Sequence, residues 1–174
     1  MSNISKNGFT LFELIVTLAI SAILIMVALP YFHQLMAQQE LKRIQYSLLS
    51  SLKIARSHAL THHSNVVICP TQNFVQCSKQ NWNTGFLIFM DRNRNRQIDE
   101  NEYIIYTEKT ALKYGNLDWR GTLNIPSVTF NAQQGLPIGS NGSFFYCSST
   151  VSNHRLVLNK MGITRTEFTS VMLT

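Results

Sequence analysis

The chain has 174 residues, enough for about one folded domain. Hydrophobic residues make up 45% and charged residues only 14%, which excludes a disordered chain; there is no Gly-x-y period or tandem repeat, which excludes collagen and solenoids. Fifteen Lys+Arg against nine Asp+Glu leave a net charge of +6, which favours anionic partners such as nucleic acid or lipid head groups without selecting one.

The deficit of charge lies at the N-terminus. Phe9 to Leu29 reads FTLFELIVTLAISAILIMVAL, with Glu13 as its one ionisable group. At about 1.5 Å per residue this run is about 31 Å long, the thickness of a bilayer's hydrocarbon core, and it shows no polar stripe. It reads as a membrane helix. The short segment before it carries only Lys6, and no small-x-small cleavage site follows it. The apolar run is therefore expected to be retained, with any processing before it. A carboxylate inside a bilayer costs a few kcal/mol and usually marks function. Glu13 either reaches the interface, four residues away, or meets a positive group on a neighbouring subunit.

Gly8-Phe9-Thr10-Leu11-Phe12-Glu13-Leu14, then the apolar run and Pro30, resembles the class III signal of type IV prepilins and type II secretion pseudopilins. The resemblance implies that a prepilin peptidase cuts after Gly8 and that Phe9 becomes a methylated N-terminus. It further implies that Glu13 registers the subunit in a filament and that Pro30 loosens the helix near the membrane exit. Residues 1–8 would be the leader, 9–29 the transmembrane helix and 30–62 its periplasmic continuation.

Beyond Pro30, Ala37, Leu41, Ile44, Leu48, Leu52, Ala55 and Ala59 recur at helical spacing, while Lys42, Arg43, Gln45, Lys53 and Arg56 fall off the stripe. This predicts an amphipathic helix to about His62 that lays its stripe on a sheet; the stripe is short for a coiled coil. After His63 the texture changes to short β-type runs at 66–68, 86–89, 103–106, 123–125, 128–130, 143–146 and 155–158, with a last strand within 162–168. One long helix followed by an antiparallel sheet is an α+β fold, with the β-rich head over 63–174.

Cys69 and Cys77 flank a turn-like segment and form the first-choice disulfide in an oxidising compartment; Cys147 leaves an odd count, so its pairing with either stays open. Asp91, Asn93, Asn95, Asp99 and Glu102 fall at calcium-loop positions. Arg96 stands where that loop needs glycine, and strands rather than helices flank it, so the segment reads as a polar hairpin loop. Arg92, Arg94 and Arg96, exposed at its tip, would form a cationic surface able to touch phosphates. His58, His62 and His63 read as the end of the helix rather than a metal site. No nucleophile–base, dinucleotide, phosphate-loop or zinc-protease motif is present, so neither an enzyme nor a cofactor is expected.

Ile68-Cys69-Pro70, Cys77, Trp82-Asn83-Thr84-Gly85-Phe86-Leu87-Ile88-Phe89 with the Asp/Asn loop, Phe130, Leu136-Pro137, Phe145-Tyr146-Cys147 and Arg155-Leu156-Val157-Leu158 resemble the head shared by secretion pseudopilin H and minor pilins of the FimT and FimU kind, with the FimT look strongest. The type IV pilin fold follows from that resemblance: a long N-terminal helix packed on an antiparallel sheet. So does a role as a minor pilin or pseudopilin that primes or caps a pilus or secretion filament. Its partners would be the prepilin peptidase, other minor and major pilins or pseudopilins, an inner-membrane assembly platform and membrane lipid. The chain would span the bacterial inner membrane once, with its head in the periplasm. The alternative is a DNA-binding minor pilin acting in uptake of double-stranded DNA. FimT-like pilins of that type carry Gly-Arg-x-Arg near the C-terminus. The matching stretch here is Gly162-Ile163-Thr164-Arg165, with Ile163 in place of the first arginine and Lys160 as a substitute charge.

Overall fold

The computed structural model describes residues 10–170. The chain divides into two compact units, Met1–Met36 and Ala37–Thr174. A single helix, α1 (Leu11–His62), belongs to both.

In the first unit α1 is exposed at every described position. Its apolar window has a mean hydropathy of 2.6, which by length and composition suffices to cross a membrane. The two hydroxyls in this stretch are satisfied within the helix: Thr17 Oγ1 donates to the Leu14 carbonyl (2.9 Å) and Ser21 Oγ to that of Thr17 (2.7 Å). Hydroxyls bonded back to their own helix add little cost to burial in hydrocarbon. The helix continues through Pro30, which removes one backbone donor but leaves the flanking turns helical.

In the second unit the helix buries Ala37, Leu41, Ile44, Leu48, Ser51, Leu52, Ala55 and Ala59, the stripe that the spacing defines plus one serine. Eight strands follow: β1 (Asn65–Pro70), β2 (Gly85–Asp91), β3 (Ile104–Lys109), β4 (Gly115–Gly121), β5 (Val128–Phe130), β6 (Gly142–Ser148), β7 (His154–Leu158) and β8 (Thr164–Phe168). They form two four-stranded sheets, β3-β2-β1-β5 and β4-β6-β7-β8, with antiparallel pairs throughout, where the sequence suggested one sheet.

The helix stripe shares one core with both sheets. Val66, Ile68, Phe86, Ile88, Val128 and Phe130 come from the first sheet; Leu117, Trp119, Phe144, Tyr146, Leu156 and Leu158 come from the second. Trp82 lies between them, 4.9 Å from the Phe144 ring in an edge-on contact. The alternate residues of β1 and β2, Val67, Cys69, Leu87 and Phe89, form a second cluster with Cys77, Ile98 and Ile104. Burial on both faces explains why these two strands read as continuous apolar runs rather than alternating ones.

The lid over that second cluster is the loop closed by a disulfide between Cys69 and Cys77, whose Cα atoms are 5.6 Å apart. Thr71 wires the loop, donating to the Gln76 carbonyl (2.7 Å) and accepting the Phe74 amide (3.0 Å). Cys147 lies on β6, outside this bond.

Two strand assignments from sequence change. Leu123-Asn124-Ile125 is not a strand: Thr122–Asn124 forms a 3-10 turn in which Leu123 and Asn124 take left-handed φ of 61° and 54°. Leu123 is 84% exposed, so its apolar side chain had no core to face. The strand missed from sequence is β4, where only Leu117 and Trp119 are buried and polar residues alternate with them.

Candidate functional site

At the N-terminal end, Thr10 caps α1. Its Oγ1 accepts the Glu13 amide (3.3 Å) and its carbonyl accepts the Leu14 amide (3.2 Å). Thr10-x-x-Glu13 is the spacing of a capping box, a signal that sequence reasoning passed over. A carboxylate in the first turn also faces the positive end of the helix dipole. Glu13 thus has a local reason to stay at the start of an apolar helix, and its side chain remains exposed there. Gly8 and Phe9, the expected cleavage and methylation positions, lie outside the described residues. Pro30 lies within the helix on the exposed apolar segment.

The helix is latched to the loop between β3 and β4 by residues the sequence did not single out. Glu40 accepts the amides of Lys113 (2.7 Å) and Tyr114 (3.1 Å) and the hydroxyl of Tyr146 (2.9 Å). Burial, followed by the Glu40 hydrogen bond, holds the Tyr146 phenol well above its usual range. One turn on, Arg43 donates to the carbonyls of Lys109 (3.4 Å) and Thr110 and lies 3.8 Å from Glu108. Gln45 Nε2 donates to His154 Nδ1 (3.1 Å), a bond only the neutral ring accepts. Burial pulls the His154 pKa below its ordinary value. These polar residues sit off the apolar stripe, so periodicity gave no hint of their partners.

The Asp/Asn loop is a hairpin connection between β2 and β3. Three of its acidic groups, Asp91, Asp99 and Glu102, are satisfied internally. Asp91, 1% exposed, accepts the amides of Asn95 (3.1 Å) and Arg96 (3.2 Å). Asp99 accepts the side-chain amides of Asn93 (2.6 Å) and Asn95 (2.8 Å), and Glu102 accepts the amides of Arg92 (2.9 Å) and Asp99 (3.3 Å). Arg94 and Arg96 take left-handed φ of 64° and 61°. The loop tolerates this cost of order 1 kcal/mol per residue because the Asp91 carboxylate fixes the backbone. Arg92 and Arg94 line a cleft with His62 and His63, while Arg96 lines another with Lys79 and the disulfide. His58 and His62 stack with ring centroids 5.4 Å apart.

Near the C-terminus, a tight turn joins β7 to β8. Asn159 Oδ1 accepts the amides of Met161 and Ile163 (both 2.9 Å), and Gly162 supplies the left-handed φ of 74°. Lys160 is exposed on this turn. Arg165, on the edge strand, forms an ion pair with Glu167. Arg56 of α1 reaches the same turn: its Nη1 lies 3.2 Å from where a Cβ on Gly162 would stand.

An apolar, membrane-length N-terminal helix whose second half packs against antiparallel sheets is the type IV pilin fold. Among solved structures, the type IV minor pilin FimU of Pseudomonas aeruginosa is similar, with a TM-score of 0.58 and 18% identity over 75% of this chain and 90% of its own. The family model described as type II transport protein GspH matches residues 46–162, and that of the prokaryotic N-terminal methylation motif matches residues 4–29. The chain belongs to the GspH family, a family of type IV minor pilins and pseudopilins. The fimbrial protein EcpB of Eikenella corrodens is 33% identical over 108 residues, 62% of this chain. The match spans about 61% of the length of that curated relative.

Proposed function

We propose that this chain is a minor subunit of a type IV pilus or type II secretion filament, where it primes or caps the assembly. The observation that carries this reading is the membrane-length helix exposed through Met36, next to a stretch of the same helix that is already committed to its own sheets. An apolar surface of this kind needs lipid before assembly and neighbouring apolar helices after it. The chemistry is therefore exchange of one apolar environment for another, with no covalent step inside the head. Cleavage after Gly8 by a prepilin peptidase would free the Phe9 amine, which Glu13 of a neighbouring subunit could pair with. The Cys69–Cys77 disulfide suits a head held on the oxidising, periplasmic side of the inner membrane.

Deleting the gene tests the reading. Loss of surface filaments with secretion intact assigns the chain to a pilus. Loss of secretion with pili intact assigns it to the secretion filament. No change in either refutes the reading.

DNA capture is the second reading, and one observation favours it: Arg56 brings a guanidinium beside Gly162, where Ile163 replaces an arginine. The Arg165–Glu167 pair works against it by neutralising the arginine that matches the motif.

A further inference from the structure

The last residues of α1 and the first arginines of the β2–β3 loop meet across an open cleft of about 390 Å³, lined chiefly by His62, His63, Ser64, Asp91, Arg92 and Arg94. We propose that this cleft is an anion site that takes phosphoryl groups.

The strand register creates it. Asn65, the first residue of β1, pairs with Asp91, the last of β2. The end of the helix and the start of the loop are therefore neighbours. His63, with a left-handed φ of 49°, turns the chain off the helix and into β1.

The lining sets two guanidinia, Arg92 and Arg94, against one carboxylate, Asp91, so its formal balance is cationic. Glu102 and Asp99 accept bonds from amides within the loop. Asp91, the one carboxylate in the lining, has its two oxygens committed to the amides of Asn95 and Arg96. No ion pair with Arg92 or Arg94 is present among the described residues, and both side chains are exposed. Two arginines lining a common space supply guanidinia suited to phosphoryl oxygens, which such groups bind in a forked, bidentate way. Imidazole N–H groups from His62 and His63 and the Ser64 hydroxyl add donors at the same rim. The last carbonyls of the helix oppose an anion, but that partial charge is smaller than one guanidinium. A metal cation fits less well, since the arginines would repel it. No group of His, Cys, Asp and Glu side chains able to hold a metal exists among the described residues.

The site does not depend on the filament reading, because binding is measured on the purified chain without assembly. The experiment titrates the full chain, in a non-ionic detergent, with inorganic pyrophosphate by calorimetry at two salt concentrations. The expected result is saturable binding that weakens with salt. The Arg92→Gln/Arg94→Gln variant should bind about tenfold more weakly or worse, as loss of charge-assisted bonds requires. Arg96→Gln, which alters the neighbouring cleft, should bind as the parent does. If the double variant melts early, Arg94→Asn, a residue that accepts a left-handed φ, carries the same expectation. Displacement of pyrophosphate by glycerophosphoglycerol would identify a lipid head group as the source; displacement by inorganic phosphate alone would identify a free anion. Absence of saturable binding, or equal affinity in parent and double variant, overturns the proposal.

Discussion

Glu13 carries two explanations that one pair of substitutions can separate. The capping-box spacing from Thr10 and the helix dipole favour a carboxylate at this position from local physics alone. Filament registry requires its charge. Glu13→Gln keeps the capping-box side chain and removes the charge; Glu13→Ala removes both. Both variants should insert in the membrane normally, because loss of a carboxylate eases burial. Under the registry account both lose incorporation into filaments, measured by immunoblot of the sheared fraction. Normal incorporation of Glu13→Gln would leave only the cap. His154 makes a second prediction at this scale. Its folded pKa is lowered by burial, so the folded state prefers the neutral ring. Above the unfolded value of 6.5 both states are neutral and its contribution is fully present. As pH falls through that value the unfolded chain takes up a proton first, and stability is lost. Thermal melts over this range should show the parent losing more stability on acidification than His154→Gln. Parallel curves would contradict it.

At the scale of elements, the Glu40 latch decides how firmly α1 holds the β3–β4 loop. Removing one carboxylate leaves two backbone amides and the Tyr146 hydroxyl without their acceptor. Glu40→Ala should cost about 1–3 kcal/mol, read as a lower unfolding midpoint. A midpoint unchanged within error would mean that water replaces the carboxylate without loss. Such latches were illegible in the sequence, because a polar residue off an apolar stripe looks like any solvated face. The stripe itself was legible, since Ala37 to Ala59 repeats at helical spacing and every position is buried. So were β1 and β2, whose runs are apolar throughout because both faces are covered. β4 was not, because Asn116, Asp118 and Arg120 dilute its two core residues. Leu123 misled in the other direction: left-handed φ values end any strand there, and no apolar count can report a φ. The division into two sheets was equally hidden, since strand runs state which residues pleat and not which strands pair. The neighbours of Arg92, Arg94 and Arg96 were hidden for the same reason: the β1–β2 register brings His62 and His63 to the cleft that Arg92 and Arg94 line, while Arg96 lines another.

For the whole molecule, the helix is the organising fact. Its first stretch offers an apolar surface to a membrane or to other helices, and its second is spent on the core of the head. The chain carries a net charge of +6, and no group of His, Cys, Asp and Glu side chains able to hold a metal ion exists among the described residues. Under the proposed function, the chain acts by being placed in an assembly. The most direct test is mass spectrometry of the chain recovered from sheared filaments. The account predicts a mature subunit that starts at a methylated Phe9 and is present in the filament fraction. A chain still beginning at Met1, or one found only in the membrane fraction while filaments form normally, would contradict it.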